Sequence, residues 1–390
     1  MKIIPTAMNK NNWTYRKLGE VATLVADGDW IESKDQSEQG IRLIQTGNIG
    51  NGFFKSKDDK PHFISEETMS RLNCTEIFQG DCLVSRLPDP VGRACLIPNI
   101  GCRMITAVDC SIIRFSNDYL PQFFVDYSQS AKYRNSVNNN TTGTTRKRIS
   151  RKNLEKIPIP IPPLAEQQRI VAELDLLSSI IEKKKAQLKE LDQLAQSIFY
   201  DMFGDPITNE KGWEVKKLKE VSTLINGRAY KQNELLNEGK YKVLRVGNFF
   251  TNSNYYYSDL ELEDNKYCDN GDLLFAWSAS FGAFIWCGEK VIYHYHIWKV
   301  LYDEKQLNKI FYCNLLNTMT NAFMNDVHGI GMVHLTKQGM EDYILPLPPL
   351  PLQQEFASKI EAIERQKTLI QQSIDEVQTL FDSRMDYWFG

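Results

Sequence analysis

The sequence predicts two mixed α/β domains joined by two long helices that form an antiparallel coiled coil, with a pseudo-two-fold internal repeat. Two observations predict this fold. A proline-rich stretch at residues 157–170 (IPIPIPPLAEQQRI) returns at residues 343–356 (YILPLPPLPLQQEF), an offset of 186. Each copy opens a segment whose apolar residues recur at alternating steps of four and three, the spacing of a coiled-coil seam.

Length and composition are those of an ordinary folded protein. The chain has 390 residues, enough for two or three domains with separate cores, and is 42% hydrophobic and 24% charged. The net charge of −3 provides no global basic field, so a nucleic-acid partner would need a local basic region. We find no signal peptide, no run of membrane-span length and no Cys-x-x-Cys pair among the eight cysteines. We therefore expect a cytoplasmic protein with reduced thiols.

The two domains are expected at residues 1–157 and 205–344. The first opens on WTYRKLGEV at Trp13, and the second on WEVKKLKEV at Trp213. Strand-like alternations follow at 41–49, 80–84 and 111–115, then a helix near 120–133; their counterparts include 241–249, 271–275 and a helix near 307–324. The offset falls from 200 to 191 and then to 186, so loop lengths differ on a shared framework. Variable loops favour a role in specificity, with neutral drift after duplication as the alternative.

A proline-rich segment and a long helix follow each domain, at residues 158–204 and 345–390. Residues that precede proline are extended, and proline suits a first helical turn. About 35 residues at 1.5 Å each make a rod on the order of 50 Å, too long for residues 205–212 to run back along, so we expect antiparallel pairing. An amphipathic helix lying on each domain's own core is the alternative. The predicted seam consists of Ile170, Leu174, Leu177, Ile181, Leu188 and Leu191, and of Phe356, Ile360, Ile363, Ile370, Ile374 and Val377.

Sequence motifs of catalysis are missing. There is no phosphate-binding Gly-x-x-x-x-Gly-Lys-Ser/Thr loop, no Gly-x-Gly-x-x-Gly after a strand, and no Asn/Asp-Pro-Pro-aromatic stretch. Asp27 and Asp29 suit a turn better than a pair of catalytic carboxylates, although a nuclease site of scattered carboxylates is a further alternative. His294 and His296, expected at alternate positions of a strand, have no ligand partner at a suitable spacing. We predict no metal site and no catalytic residue.

A basic, hydroxyl-rich loop gives the strongest binding signal. Residues 141–152 read TTGTTRKRISRK, and hydroxyl, amide and guanidinium groups are those that hold phosphate oxygens. A solvated run of charges is the alternative. The second copy, at residues 329–341, keeps the glycine and places Thr336 where Ser150 lies, but loses most of the charge. The candidate phosphate contacts are Thr144, Thr145, Arg146, Lys147 and Arg148.

Base edges are read by Arg, Lys, Asn or Gln side chains on loops. A structural role is the alternative at each position, and Asn48 and Asn248 follow glycines whose turns they suit. Tyr230 and Trp277 have rings suited to packing against a sugar or base. The candidate base readers are Gln45, Asn48 and Arg86 in the first domain, and Arg228, Lys231, Arg245 and Asn248 in the second.

These features resemble the DNA-specificity subunit of type I restriction–modification systems. The likeness covers the whole length, from W-x(4)-LGE at Trp13 and W-x(4)-LKE at Trp213 to both copies of the proline-rich P-P-L-x-x-Q-Q pattern and its heptad helix. The resemblance implies two target-recognition domains, each reading one half of a bipartite double-stranded DNA site. The helix pair would act as a ruler for the unspecified spacer between the halves.

The resemblance also implies partner subunits that carry the chemistry. Two methyltransferase subunits would flip an adenine in each half-site and methylate it with S-adenosylmethionine, and restriction/translocase subunits would use ATP and magnesium. This chain would hold no cofactor. We therefore predict a non-catalytic, sequence-specific DNA-binding subunit. A protein–protein scaffold with two variable binding domains on a coiled-coil rod is the alternative.

Overall fold

The computed structural model describes residues 13–143, 146–250, 254–278, 280–325 and 336–390. The chain divides into two compact units, one made of Met1–Lys184 with Ser373–Gly390 and the other of Lys185–Gln372. Each unit therefore contains one domain and half of each long helix. Across the described ranges, no helix combines the length and the apolar character that a membrane span requires.

The first unit is built on two sheets. Antiparallel strands in the order β2-β10-β7-β8 form one, and β3-β5-β4-β9-β6, with β4 and β9 parallel, form the other. Its strands are β1 (Thr14–Lys17), β2 (Ala22–Asp27), β3 (Gln36–Ser37), β4 (Ile41–Ile44), β5 (Phe63–Ile64), β6 (Glu76–Ile77), β7 (Cys82–Ser85), β8 (Ala94–Leu96), β9 (Met104–Thr106), β10 (Cys110–Phe115), β11 (Thr141–Thr142), β12 (Arg148–Ile149) and β13 (Pro158–Ile161). Its helices are α1 (Leu18–Val21), α2 (Glu66–Leu72), α3 (Pro121–Tyr127), α4 (Ala131–Asn139), α5 (Arg151–Leu154) and the first part of α6 (Leu164–Phe203).

The second unit repeats this plan with the sheet orders β15-β22-β19-β20 and β17-β16-β21-β18, in which β16 and β21 are parallel. Its strands are β14 (Glu214–Lys217), β15 (Ser222–Asn226), β16 (Tyr241–Leu244), β17 (Tyr256–Ser258), β18 (Tyr267–Cys268), β19 (Leu273–Ser278), β20 (Ser280–Ile285), β21 (Val291–Tyr293), β22 (Ile297–Tyr302) and β23 (Ile344–Leu347). Its helices are α7 (Leu218–Val221), α8 (Val246–Phe250), α9 (Lys309–Thr318), α10 (Thr320–Asn325), α11 (Lys337–Glu341) and the first part of α12 (Leu350–Phe389).

Two of the expected elements differ from the structure. The helix predicted near residues 120–133 is two helices, α3 and α4, because Ser130 has an extended backbone and its hydroxyl accepts the N–H of Tyr133 at 3.2 Å as an N-cap. The counterpart is likewise divided into α9 and α10. His294 and His296 lie in the turn between β21 and β22, not on a strand, so their alternate spacing reflects a turn.

The proline-rich segments form strands of two-stranded sheets. β13 pairs antiparallel with β1, placing Thr14 opposite Ile161, and β23 pairs with β14, placing Glu214 opposite Leu347. Proline lacks a backbone donor and is therefore confined to such edge positions in sheets. Each segment thus fastens the first strand of its domain to the start of a long helix.

A buried glutamine fixes the start of each long helix. Gln167 Oε1 accepts the N–H of Leu120 at 2.7 Å, and its Nε2 donates to the carbonyls of Pro162 at 2.9 Å and Asp118 at 3.2 Å. Gln353, 186 positions later, repeats the arrangement with Asn308, Pro348 and Gln306 at 2.8, 2.8 and 2.9 Å. These bonds explain the first glutamine of each Gln-Gln pair, whereas Gln168 and Gln354 are exposed.

The two long helices are antiparallel, as predicted. In the first unit Trp388 near the end of α12 donates its indole N–H to Glu173 near the start of α6 at 3.2 Å, and Arg384 pairs with the same carboxylate. In the second unit Lys367 lies 2.8 Å from Asp192. The residues of the predicted seam are all buried or half-buried.

Each domain core extends onto the helices. Phe123 on α3 contacts Phe389 with ring centroids 5.4 Å apart, and the corresponding Phe311 on α9 contacts Phe203 at 4.7 Å. Ile170 and Leu174 belong to the first core and Phe356 and Ile360 to the second. The helices therefore complete the cores that hold the sheets in place.

Candidate nucleic-acid interface

Several strand ends meet at one edge of the first domain, which we call the first junction (residues 27–30, 44–45, 85–86 and 107–109). Backbone hydrogen bonds hold it together. The N–H of Gly28 donates to the carbonyl of Cys110, that of Ala107 to Ile44, and that of Arg86 to Asp109, at 2.8, 2.9 and 2.9 Å. The loops that leave four strands are thereby brought side by side.

The second domain contains an equivalent second junction (residues 226–229, 244–245, 277–278 and 294–296). The N–H of Gly227 donates to the carbonyl of Ile297, that of His294 to Leu244, and that of Trp277 to His296, at 3.1, 2.9 and 3.1 Å. The same backbone bonds occur in both domains, so the two junctions correspond residue by residue.

Glycine is required where the first segment crosses each junction. A Cβ atom on Gly28 would lie 2.2 Å from the carbonyl oxygen of Ala107, and one on Gly227 would lie 2.3 Å from that of Tyr293. Backbone in the way cannot yield as a flexible side chain can, so any larger residue would force the segments apart.

Charged side chains dominate the first junction. Arg86 is 5% exposed and lies 3.1 Å from Asp27, and its guanidinium also donates to the carbonyl of Val108. Arg148 lies 2.9 Å from Asp109. The arginine predicted as a base reader at position 86 is therefore used inside the domain, where it holds two loops together.

The basic segment is attached to this same edge. β11 and β12 form a hairpin, which we call the basic hairpin (residues 141–149), and the N–H of Ile149 donates to the carbonyl of Arg86 at 3.2 Å. Arg146 and Lys147 are exposed, and Arg148 is exposed while paired with Asp109. Thr144 and Thr145 lie outside the described residues. The hairpin thus presents cations beside the first junction.

Rings dominate the second junction. The ring centroid of Trp277 lies 5.1 Å from that of His296, and Tyr230 stacks with His294 at 6.3 Å. The guanidinium of Arg228 lies over the ring of Tyr230, 5.2 Å from its centroid. Burial lowers the pKa of His294 to about 4, with His296 and Arg245 adding to the effect, so this imidazole is neutral at pH 7.

Four of the second-domain candidates therefore lie around the His294–His296 turn: Arg228, Tyr230, Arg245 and Trp277. Arg228 is anchored by a bidentate ion pair with Glu234, at 2.8 and 3.0 Å. Arg245, at the end of β16, is exposed. Lys231 is also exposed and begins the short 3-10 turn that carries Glu234. The set lies on one edge of the domain, as a binding surface requires.

The two asparagine candidates are structural. Asn48 and Asn248 are 6% and 7% exposed, and each side-chain oxygen accepts the backbone N–H three residues earlier, at Gln45 and Arg245, at 2.9 Å. Both asparagines close the turn after a strand, the alternative that the sequence left open. Gln45 itself is half-buried and lines a polar cleft with Lys57 and Lys60.

The hydroxyl shared by the two copies is also structural. Ser150 accepts the N–H of Asn153 at 3.2 Å as the N-cap of α5, and Thr336 accepts that of Gly339 at 3.1 Å as the N-cap of α11. Residues 329–335, most of the uncharged counterpart of the basic loop, lie outside the described residues. Within the described ranges, no group of three or more His, Cys, Asp or Glu side chains is placed to hold a metal ion.

Two exposed aromatic residues at the junctions, Trp30 and Tyr295, were not predicted as DNA contacts from the sequence. Trp30 follows Asp29 and its side chain is 69% exposed, and Tyr295, between the two histidines, is 37% exposed. The DGDW turn gave a signal for Trp30 only by placing it on a loop, where contact residues concentrate; its exposure depends on the tertiary packing. Tyr295 gave none, because its strand-like neighbours predicted an ordinary strand.

Comparison with known proteins assigns the chain to a family. A family model described as the type I restriction modification DNA specificity domain matches residues 10–193 and again residues 210–379. The chain is 25% identical over 391 residues to the type I restriction enzyme MjaIX specificity subunit of Methanocaldococcus jannaschii, an alignment that covers 90% of this chain and 87% of that subunit.

Two further similarities differ in extent. The type I restriction enzyme EcoBI specificity subunit of Escherichia coli is 26% identical over 153 residues, so the match covers 39% of this chain and 32% of that subunit. A solved structure from a study of complex assembly and conformational transition of the type I R-M system has a similar fold, with a TM-score of 0.62 at 18% identity and 99% of both chains covered.

Proposed function

Because the chain belongs to the type I restriction modification DNA specificity family, we propose that it is the non-catalytic subunit that recognises a bipartite DNA target. Each domain binds one half-site through its own junction. One observation carries this proposal: equivalent backbone bonds build both junctions, while the side chains placed there differ. A common frame with different contact residues suits two readers of different sequences.

The first domain has the features of a phosphate-anchored reader. Its basic hairpin places Arg146 and Lys147 in solvent beside the junction, and arginine and lysine on loops are the usual phosphate contacts. Arg148, which is paired with Asp109, lies on the same surface. These contacts position the duplex, and residues such as Gln45 are left to contact base edges.

The second domain has fewer described cations and more rings at its junction. Arg228, Lys231 and Arg245 remain candidate contacts, and Tyr230 and Trp277 border the same turn. Asn48, Asn248 and Arg86 are omitted from the proposed contacts because each is buried and bonded inside its domain. The sequence preference of each half-site follows from these different side chains.

The long helices set the spacer between the half-sites. A stiff antiparallel pair restricts the distance and helical phase at which two readers engage one duplex, which raises the effective concentration of the second half-site once the first is bound. Target specificity then depends on half-site sequences and on the number of base pairs between them.

Methylation and cleavage belong to partner subunits. Two methyltransferase subunits with S-adenosylmethionine modify an adenine in each half-site, and restriction/translocase subunits supply ATP- and magnesium-dependent cleavage. The chain's own part is to place these partners on the correct DNA.

Methylome sequencing tests the proposal directly. Cells that carry the methyltransferase gene are compared with and without this chain. We expect one bipartite motif, methylated in both halves, to appear only when the chain is present. A methylome that does not depend on the chain would contradict the proposal and favour a protein–protein scaffold.

A further inference from the structure

At one matching position, each junction places a large aromatic side chain on one segment beside a small side chain on the neighbouring segment. A parallel bridge pairs Asp29 with Ala107 in the first domain and Arg228 with His294 in the second. One step further along both segments, the first domain has Trp30 beside Val108. The second domain has Ala229 beside Tyr295. The two segments that form this bridge are equivalent in the two domains. The aromatic residue lies on the earlier segment in the first domain and on the later segment in the second.

Both rings are turned toward solvent. Trp30 is 69% exposed and Tyr295 is 37% exposed, whereas most large aromatic side chains of a folded domain are largely buried. The indole N–H of Trp30 donates to Glu32 at 3.3 Å, which fixes one edge of the ring. Tyr295 packs against His296, with ring centroids 3.9 Å apart, so it too is held before any ligand binds.

Cations lie on the same edge of the domain as each ring. Arg151 reaches Asp27 at 3.9 Å, two positions before Asp29, and the exposed basic hairpin lies on the same edge. In the second domain the backbone carbonyl of Arg228 accepts the N–H of Tyr295 at 3.0 Å, while its guanidinium lies over the ring of Tyr230. A solvent-facing ring on a surface that also carries cations suits contact with DNA, with the ring against a sugar or base and the cations on the phosphates.

We propose that Trp30 and Tyr295 each pack against a deoxyribose or a base edge of the half-site bound by their own domain. The inference rests on the proposed DNA-recognition function and names residues that determine its specificity. Ring contacts add affinity without neutralising phosphates, so they differ from the basic hairpin in their response to salt. The two domains use the same level of the junction for the same kind of contact, although different segments supply the ring.

Alanine substitutions test the proposal in the assembled methyltransferase complex. Trp30→Ala and Tyr295→Ala are compared with the unsubstituted chain by fluorescence anisotropy, on a duplex carrying the target found by methylome sequencing. We expect each variant to bind about ten-fold more weakly, the order of magnitude of one lost aromatic contact with nucleic acid. The slope of log affinity against log salt concentration should stay unchanged, because no charge is removed.

Half-site duplexes separate the two rings. Base substitutions are made in one half-site at a time and combined with each variant. The change in binding free energy caused by Trp30→Ala should be non-additive with base substitutions in one half-site and additive with those in the other. Tyr295→Ala should show the opposite pattern. Equal additivity with both half-sites would overturn the assignment of one ring to each half.

Matched variants guard against loss of structure. Phe78 is 53% exposed and precedes β7, at the end opposite Arg86, so Phe78→Ala should bind as the unsubstituted chain does. Trp30→Phe and Tyr295→Phe keep a ring and should retain most of the affinity. Alanine variants that bind DNA normally, or that lose only assembly with the methyltransferase, would overturn the inference. If the unsubstituted complex fails to bind its methylated motif, the proposed function itself is wrong.

Discussion

In each domain the side-chain amide of one buried glutamine holds neighbouring segments together. The sequence shows these glutamines only as the first members of a repeated Gln-Gln pair. Gln167 satisfies one donor and two acceptors from two segments, residues 118–120 and Pro162. A buried backbone group that loses its partner is destabilising by about 1–3 kcal/mol. The first glutamine of each pair is therefore a joint between the domain, the proline-rich strand and the long helix.

Replacing this joint should weaken the first unit. Gln167→Leu keeps a side chain of similar volume but leaves the N–H of Leu120 without its acceptor, so we expect the free energy of unfolding to fall by about 2 kcal/mol or more. Urea unfolding measures the change. Gln168→Leu is the matched control because Gln168 is exposed. Equal stability of the two variants would show that the buried bonds contribute nothing.

Asp126 gives a pH-dependent prediction. The side chain is buried on α3, accepts a hydrogen bond from Gln122 at 2.9 Å, and burial raises its pKa to about 8. In the unfolded chain the carboxyl ionises near its ordinary value, about 4. Between those values the folded state holds a proton that the unfolded state has lost. Stability should therefore fall as the pH rises through this window.

Asp126→Asn removes this titration. Relative to the unsubstituted chain, the variant should gain stability between pH 4 and pH 8, by up to roughly 1.4 kcal/mol per pH unit. Unfolding in urea at pH 5 and pH 8 measures the difference. Identical pH dependence of the two proteins would mean that the carboxyl is ionised in the folded state.

Sequence reasoning assigned residue roles less well than it assigned elements. Asn48 and Arg86 have the chemistry of base readers, but their burial depends on which strand ends meet, and that is a property of the tertiary fold. Trp30 has the chemistry of a core residue and is 69% exposed for the same reason. Local sequence gives the type of a side chain, while the packing of distant segments decides whether it faces solvent.

Among the elements, we expect the basic hairpin to have the clearest effect on DNA affinity. Replacing Arg146, Lys147 and Arg148 together by alanine should weaken binding to every DNA sequence alike. Each lost phosphate contact reduces the slope of log affinity against log salt by about 0.9, so the slope should flatten by up to about 3. Binding measured at several salt concentrations, on target and random duplexes, gives both quantities.

A charge-matched control isolates the hairpin from net charge. Lys183, Lys189 and Lys359 are exposed on the long helices, and their replacement by alanine removes the same charge. This control should leave the salt slope close to that of the unsubstituted chain. If the hairpin variant changes only the preferred sequence and keeps its salt slope, its side chains read bases and are not phosphate contacts.

Secondary structure followed the sequence where local chemistry decides it. The prolines at 158 and 160 predicted an extended segment, and the segment is β13. The helix near residues 120–133 was predicted as one element because apolar periodicity continues across it. The N-cap at Ser130 interrupts the helix, and serine is common enough inside helices and loops that its presence alone does not mark that break.

At the scale of the whole molecule, the repeat made the architecture predictable. A constant offset of 186 through the proline-rich segments and long helices identified one structural unit used twice. Antiparallel pairing then followed from chain length alone, and the contacts of Glu173 with Trp388 and of Asp192 with Lys367 agree with it. The junctions could not be predicted in this way, because their loops are where the two copies differ in length.

The central claim is that the helix pair sets the spacing between two half-sites. One heptad inserted into each long helix, after Lys184 and after Gln372, keeps the seam in register and lengthens the pair by about 10 Å. That length corresponds to about three base pairs of duplex.

Methylome sequencing of cells that carry the lengthened chain measures the outcome. We expect methylation of the original motif to be lost: either the spacer grows by about three base pairs, or the roughly 100° by which three base pairs turn the duplex prevents the two readers from engaging both half-sites. Methylation of the original motif with its original spacer would contradict the account.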